Sequence, residues 1–259
     1  MTTTHTAIEW TDRTWNPTTG CTKVSPGCRY CYAEALTRRF KNHFAHGFQF
    51  TLHPQRLLEP KQWRIPGRVF VNSMSDLFHE QMPLEYLEQI FQVIAETPQH
   101  VYQVLTKRHE RLTQLAPRLP WPENLWMGVS VEDQNYVHRI EHLKQVPARV
   151  RFLSCEPLLG ALRMDLEGID WVIVGGESGP KHRPIEPQWV RDIQQQTHDA
   201  GAAFFFKQWG GHTAKAGGRM LDGRVWDEMP PAWEEHLAWL QNHSANFKRR
   251  ASPAAREKQ

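Results

Sequence analysis

The stretch Val150-Arg-Phe-Leu-Ser-Cys-Glu156, followed by Asp170-Trp-Val-Ile-Val-Gly175, decides the reading of the fold. Each is a short β-branched and aromatic run, of strand length, and each leads into polar, reactive residues. Similar runs stand at Arg68–Met74, His100–Lys107, Leu125–Glu132 and Ala202–Lys207, and the extended segment Ile8–Asn16 supplies a further candidate strand. Helical periods lie between them. Ala33, Leu36, Phe40 and Phe44 share one face, as do Leu84, Leu87, Phe91 and Ile94; Val137, Ile140 and Lys144 do so more weakly, followed by Trp189, Ile193 and Thr197.

Strand and helix alternating in series imply a parallel sheet. The strand ends choose its form: Ser73-Met-Ser-Asp76, Thr106-Lys-Arg108, Ser130-Val-Glu-Asp133, Ser154-Cys-Glu156, Gly175-Gly-Glu-Ser178 and Lys207-Gln208 are all polar. An open doubly wound sheet concentrates its ligand groups at one crevice, whereas a barrel gathers every carboxyl end around one mouth. The expected fold is therefore α/β, a partial (β/α) barrel of six or seven parallel strands. Residues 1–210 are expected to form the barrel. Residues 211–259 form a C-terminal extension, with a hairpin signal at Asp222-Gly223 and a basic tail, Phe247-Lys-Arg-Arg-Ala-Ser-Pro253, expected to fray.

The 259 residues are 40% hydrophobic and 23% charged, a globular composition with enough chain for a sizeable core. No apolar run approaches the roughly 18 residues of a membrane helix. Met1–His5 lacks the basic and apolar regions of a secretory signal, so a cytoplasmic location is expected and no membrane partner. With 31 basic against 28 acidic side chains, the mild positive balance permits a nucleic-acid partner without demanding one.

Four cysteines are present, three of them in Trp15-Asn-Pro-Thr-Thr-Gly-Cys21-Thr-Lys-Val-Ser-Pro-Gly-Cys28-Arg-Tyr-Cys31-Tyr-Ala-Glu34. A secreted disulfide scaffold would be shorter and richer in cysteine. Three clustered thiols before a helical period suit three irons of a [4Fe-4S] cluster, or zinc with a fourth ligand. Crowded thiols left free would be prone to oxidation. The H-x-E motif of zinc nucleobase deaminases, H-E-x-x-H and the G-x-x-x-x-G-K phosphate loop do not occur.

The Cys-x6-Cys-x2-Cys loop, with Tyr30 before its last cysteine, resembles a radical S-adenosylmethionine (SAM) enzyme. The usual spacing has three residues between the first two cysteines; here there are six. The chain is most similar to the small phage and prophage radical-SAM-like family of the Gp37/Gp68 type. The resemblance rests on Ile8-Glu-Trp-Thr-Asp12…Trp15-Asn-Pro17, Ser73-Met-Ser-Asp-Leu-Phe78, Leu153-Ser-Cys-Glu-Pro157, Gly175-Gly-Glu-Ser-Gly179, Phe206-Lys-Gln-Trp-Gly-Gly211 and Leu221-Asp-Gly-Arg224…Trp226-Asp-Glu-Met-Pro230. It covers about residues 7–230.

That resemblance implies a partial barrel of the radical-SAM type, a [4Fe-4S] cluster on Cys21, Cys28 and Cys31, and S-adenosyl-L-methionine as cosubstrate. It implies reductive cleavage of SAM and removal of a hydrogen atom from substrate, with an external electron donor of flavodoxin or ferredoxin type. Tyr30 would lie near the adenine. Ser73, Ser75 and Asp76 would meet the methionine amino group, and Ser130 and Glu132 the carboxylate or ribose; Ser130 and Asp133 could instead cap a helix. Cys155, at a strand end, is a candidate hydrogen-atom donor or else a core thiol. Glu177 and Lys207 are acid–base or substrate-binding candidates. His182 and Arg183 could meet a phosphate or sit on a solvated loop.

Cations beside tryptophan at Lys61-Gln-Trp-Arg64, Trp121, Trp126 and Lys207-Gln-Trp209 suggest a nucleotide or nucleic-acid base as substrate. The specific expectation is rearrangement of an amino-acid-modified thymine in phage DNA hypermodification. The alternative is a zinc-stapled nucleic-acid-binding protein without catalysis.

Overall fold

The computed structural model describes residues 6–250, with side chains described to residue 243. Seven strands form one parallel sheet: β1 (Arg13–Trp15), β4 (Gly67–Val71), β5 (His100–Thr106), β6 (Leu125–Ser130), β7 (Val150–Cys155), β8 (Trp171–Gly175) and β9 (Ala203–Gln208). Two short antiparallel pairs accompany it, β2 (Thr18–Thr19) with β3 (Thr51–Leu52) and β10 (Met220–Leu221) with β11 (Arg224–Val225). Helices α1 (Tyr32–Arg39), α2 (Leu84–Glu96), α3 (His109–Leu115), α4 (Arg139–Lys144) and α5 (Pro187–Asp199) lie between strands of the sheet, and α6 (Pro231–Arg250) follows it.

Sheet order equals chain order, β1-β4-β5-β6-β7-β8-β9, with every neighbour parallel. A doubly wound sheet reverses its order at a switch point; this one never does, so it is half of a barrel. Among the described residues β9 is not paired with β1. Its outer edge is occupied by the segment after β11, where Phe206 N–H donates to Trp226 O at 2.9 Å.

Period-two alternation divides the strand side chains into two layers. Val69, Val71, Tyr102, Val104, Met127, Leu153, Val172, Phe204 and Phe206 pack with Leu87, Ile90, Phe91, Ile140, Leu143, Val190 and Ile193 of the helices. Phe70, Val101, Trp126, Phe152, Trp171, Ile173 and Phe205 form the inner layer with Trp10, against which Met229 and Trp233 pack. Trp10 and Trp126 both meet Trp171 edge-on, with centroids 6.2 and 6.1 Å apart. Gly128 is required here, because a Cβ would come within 2.5 Å of the Phe152 ring. Burying a side chain such as Phe152 stabilises the fold by about 2–3 kcal/mol.

Two local expectations change. In α1 the buried residues are Ala33 and Thr37, while Leu36 and Phe40 face solvent, so the apolar period there points away from the core. The region after β11 contains α6, a 20-residue helix. Residues 251–253 of the basic tail lie outside the described residues.

Candidate functional site

Parallel pairing places every carboxyl end of the sheet on one rim, and the cysteine loop crosses that rim. Four connections hold it. From the turn after β4, Ser75 Oγ donates to Gly20 O at 2.8 Å. From the end of β5, Arg108 donates to Cys21 Sγ at 3.4 Å and to Thr22 Oγ1 at 2.7 Å. Beyond β6, Glu132 accepts from Ser25 Oγ at 2.5 Å. Beyond β8, Arg183 donates to Pro26 O at 3.1 Å. Cys31 then leads directly into α1.

Each tether is itself fixed. Asp76, nearly fully buried, accepts from Thr106 Oγ1 at 2.7 Å, Lys107 N at 3.1 Å and Arg108 Nη1 at 3.1 Å. Its Oδ1 also accepts from Phe78 N at 2.9 Å. Glu132, wholly buried, pairs with the equally buried Arg139 at 2.8 Å, and Arg139 lies over the Tyr136 ring. Gly27 sits against Glu132: a Cβ there would meet Oε1 at 2.5 Å. Glu177 takes a two-pronged grip from Arg183, through Nε at 2.8 Å and Nη2 at 2.5 Å. Arg183 and Arg29 both lie over the Tyr30 ring, at 5.4 and 5.2 Å.

Several sequence-derived candidates already have partners within the protein. Asp76 and Glu177 have their carboxylate oxygens engaged by protein donors, Arg108 and Arg183 among them. Ser75 is likewise tied to Gly20, and Glu132 is enclosed beneath the loop. Asp133, not Ser130, is the helix cap, accepting from Asn135 N at 2.9 Å. His182 folds back on its own turn, Nδ1 to Gly179 O at 3.0 Å, and is exposed.

Cys155 is turned away from the cysteine loop's side of the sheet. Alternation along β7 turns Ser154 to the inner face and Cys155 to the opposite one, where it is fully buried in the helix-side layer. Burial, with the Glu132 charge adding to it, raises its pKa well above the ordinary thiol value. A thiol there does not face the rim and cannot join the loop cysteines as a fourth ligand.

The tryptophans beside cations pack in or against the core. Trp126 is in the inner core, and Trp121 donates to Ala116 O and meets Phe91 edge-on. Trp63 packs beside His100 at the opposite end of the strands, and Trp209 donates to Met220 O.

What remains open toward the rim is cationic and hydroxylic. Lys107 Nζ donates to Ser130 Oγ at 3.0 Å and lies 3.6 Å from Glu132 Oε1, with its side chain 21% exposed. Ser73 hydrogen-bonds with Asn16 at 3.2 Å, and its carbonyl accepts a short bond from Tyr32 Oη. Lys207 pairs with Glu156 at 2.5 Å. The sequence assigns no individual role to Lys107, Arg108, Arg139, Glu156 or Tyr32; Lys107, Arg108 and Glu156 stand in the polar strand ends, Tyr32 in the cysteine segment, and Arg139 alone gives no signal.

Burial and then the Asp76 charge push the Cys21 thiol up to about 12, opposed by Arg108 and reinforced by Cys28. Among the described residues no three His, Cys, Asp or Glu side chains are gathered around a single-ion site. The donor set fits a cluster that takes three thiolates on three irons: three partly exposed thiols share one loop, and the fourth cysteine lies in the helix-side core.

A parallel half-barrel with a cysteine loop laid over its rim defines the class. A family profile, "Protein of unknown function (DUF5131)", matches residues 5–230, and the chain belongs to that family. No functionally curated protein matches it in sequence. Among solved structures it is similar to spore photoproduct lyase bound to dinucleoside spore photoproduct, at 13% identity and TM-score 0.47, over 72% of this chain and 61% of the lyase. A doubly substituted form of that lyase, with bound AdoMet and the same ligand, gives 13% identity and TM-score 0.43, again over 72% and 61%. The chain spans about three fifths of the length of those lyases. No described helix is long and apolar enough to cross a membrane.

Proposed function

We propose that the protein is a radical SAM enzyme in which Cys21, Cys28 and Cys31 hold a [4Fe-4S] cluster with one iron left for S-adenosyl-L-methionine. The observation that carries this reading is the convergence of four strand-end regions on one loop bearing three thiols. A structural metal staple does not call for a rim of seven strand ends beneath it. When bound, the cluster and SAM supply reductive cleavage of SAM and removal of a hydrogen atom from substrate.

The chain's own residues bind and orient. Arg108 fixes the Cys21 end of the loop and donates to its sulfur. Glu132, with Ser25 and Gly27, sets how closely the loop approaches the sheet. Lys107 beside Ser130 is a cationic partner for the carboxylate of an amino-acid moiety, and Ser73 with Asn16 offers acceptors to its ammonium group. Tyr30, with Arg29 and Arg183 over its ring, forms an aromatic and guanidinium stack beside which a purine could pack. Glu156 and Lys207, paired across the end of β8, are placed to bind substrate and to hold a proton.

The substrate class proposed is a nucleotide or nucleic-acid base, with amino-acid-modified thymine of phage DNA the first to be assayed. Reducing equivalents come from an external flavodoxin- or ferredoxin-type donor.

Anaerobic reconstitution followed by iron, sulfide and zinc analysis tests the reading. About four irons and four sulfides per chain, with 5′-deoxyadenosine formed on addition of reductant and SAM, is the expected result. One zinc and no sulfide would overturn it.

A further inference from the structure

Helix α1 turns its small residues, Ala33 and Thr37, inward, and its large ones outward. Tyr32, Leu36 and Phe40, spaced four residues apart, are 52%, 37% and 44% exposed. With Val24 at 38%, they make up four of the eight exposed large hydrophobic residues among those described. Charge is concentrated in the same place. Residues 21–46 contain five Lys or Arg (Lys23, Arg29, Arg38, Arg39, Lys41) and one acid, Glu34, a net +4 where the whole chain carries +3. Glu34 pairs with Lys23 and Arg38, while among the described residues no carboxylate pairs with Arg29, Arg39 or Lys41.

We propose that this face of α1, with the turn that follows it, is a binding track for single-stranded nucleic acid leading to the rim. The chemistry is that of aromatic faces interleaved with arginine and lysine, which holds unpaired bases and their phosphates without reading sequence. Tyr32 is a fixed platform, its side chain exposed and its hydroxyl anchored on Ser73 O next to the cysteine loop. Phe40 lies two turns along the helix, about 12 Å away by helical rise, with Arg39 over its ring at 5.4 Å. Beyond it Arg39, Phe40, Lys41, Asn42 and His43 line an open depression whose polar side chains can donate hydrogen bonds, suited to a phosphate. An acidic protein partner would also answer the charge. The exposed rings of Tyr32 and Phe40, the second with Arg39 over it, favour bases over carboxylates.

The track rests on the nucleic-acid part of the reading above and not on the cluster, so the two can fail separately. Fluorescence anisotropy with a labelled single strand of about 20 nucleotides, on the full chain before and after reconstitution, tests it. The wild-type chain is expected to bind more tightly as salt is lowered. Arg39→Glu with Lys41→Glu should weaken binding by at least about tenfold and flatten the log–log salt slope by about 1.4, two phosphate contacts' worth. Phe40→Ala should cost roughly five- to tenfold, one stacked base. These side chains are exposed, and circular dichroism checks that the variants fold. No binding at low salt, or equal binding by all variants, overturns the track. Unchanged oligonucleotide binding with slower reduction by a flavodoxin-type protein would also overturn it, making the face a protein-docking surface. Absence of iron with normal binding would instead sink the cluster and leave the track standing.

Discussion

The guanidinium of Arg108 donates to the sulfur of Cys21 at 3.4 Å while its partner Asp76 holds it from behind at 3.1 Å. A buried cation thus reaches the first loop thiol through a fork that also grips Thr22. Lysine keeps the charge but loses the fork. Arg108→Lys should leave Asp76 with a cation and the fold intact. It should lower iron retained per chain and move the cluster potential to more negative values, since hydrogen bonds to cluster sulfurs set that potential. Iron analysis and an EPR-monitored redox titration read both effects.

Gly27 is confined by Glu132. Gly27→Ala forces the cysteine loop away from the β6 end, with a stability cost of about 1–3 kcal/mol, the range for overpacking. Iron incorporation should fall more sharply than the melting temperature. Equal iron in wild type and variant would show that the loop's approach to Glu132 does not matter for assembly.

Cys28→Ser should abolish cluster assembly, whereas Cys155→Ala should keep iron, SAM cleavage and product. The second variant removes one buried sulfur from the helix-side layer and should cost on the order of 1 kcal/mol. Loss of product alone in Cys155→Ala would restore a chemical role to that thiol.

His100 is fully buried, edge-on to Trp63 and Tyr102 and close to the charge of Arg13. Desolvation first, then the Arg13 charge, bring its pKa to about 4. The folded chain therefore refuses a proton that the unfolded chain binds. The stabilisation is complete above the unfolded value of about 6.5 and is lost as pH falls from there toward 4, about 3 kcal/mol in all. Urea unfolding at about pH 7 and about pH 5 should show lower stability at the lower pH, with a smaller difference in His100→Phe.

The layers were legible because β-strand alternation leaves its mark on residues such as Val69, Phe70 and Val71, and polar strand ends marked the rim. Which side of the sheet Cys155 faces was not legible, because a strand's phase against its helices is set by packing across the whole layer. Asp76 and Glu177 looked free in sequence because their partners, Arg108 and Arg183, engage them only once the turns close. Helix α1 misled for a related reason: its apolar period is real, but the face it defines points outward. The tryptophans near cations pack in or against the core, Trp63 with Arg13 over its ring.

The strands run in order from β1 to β9 and stop without closing a ring. In a closed barrel, strand number, tilt and bore are locked together. An open arc has no such lock: its curvature can relax without breaking a ladder bond, so the aperture above the rim can follow the girth of what enters.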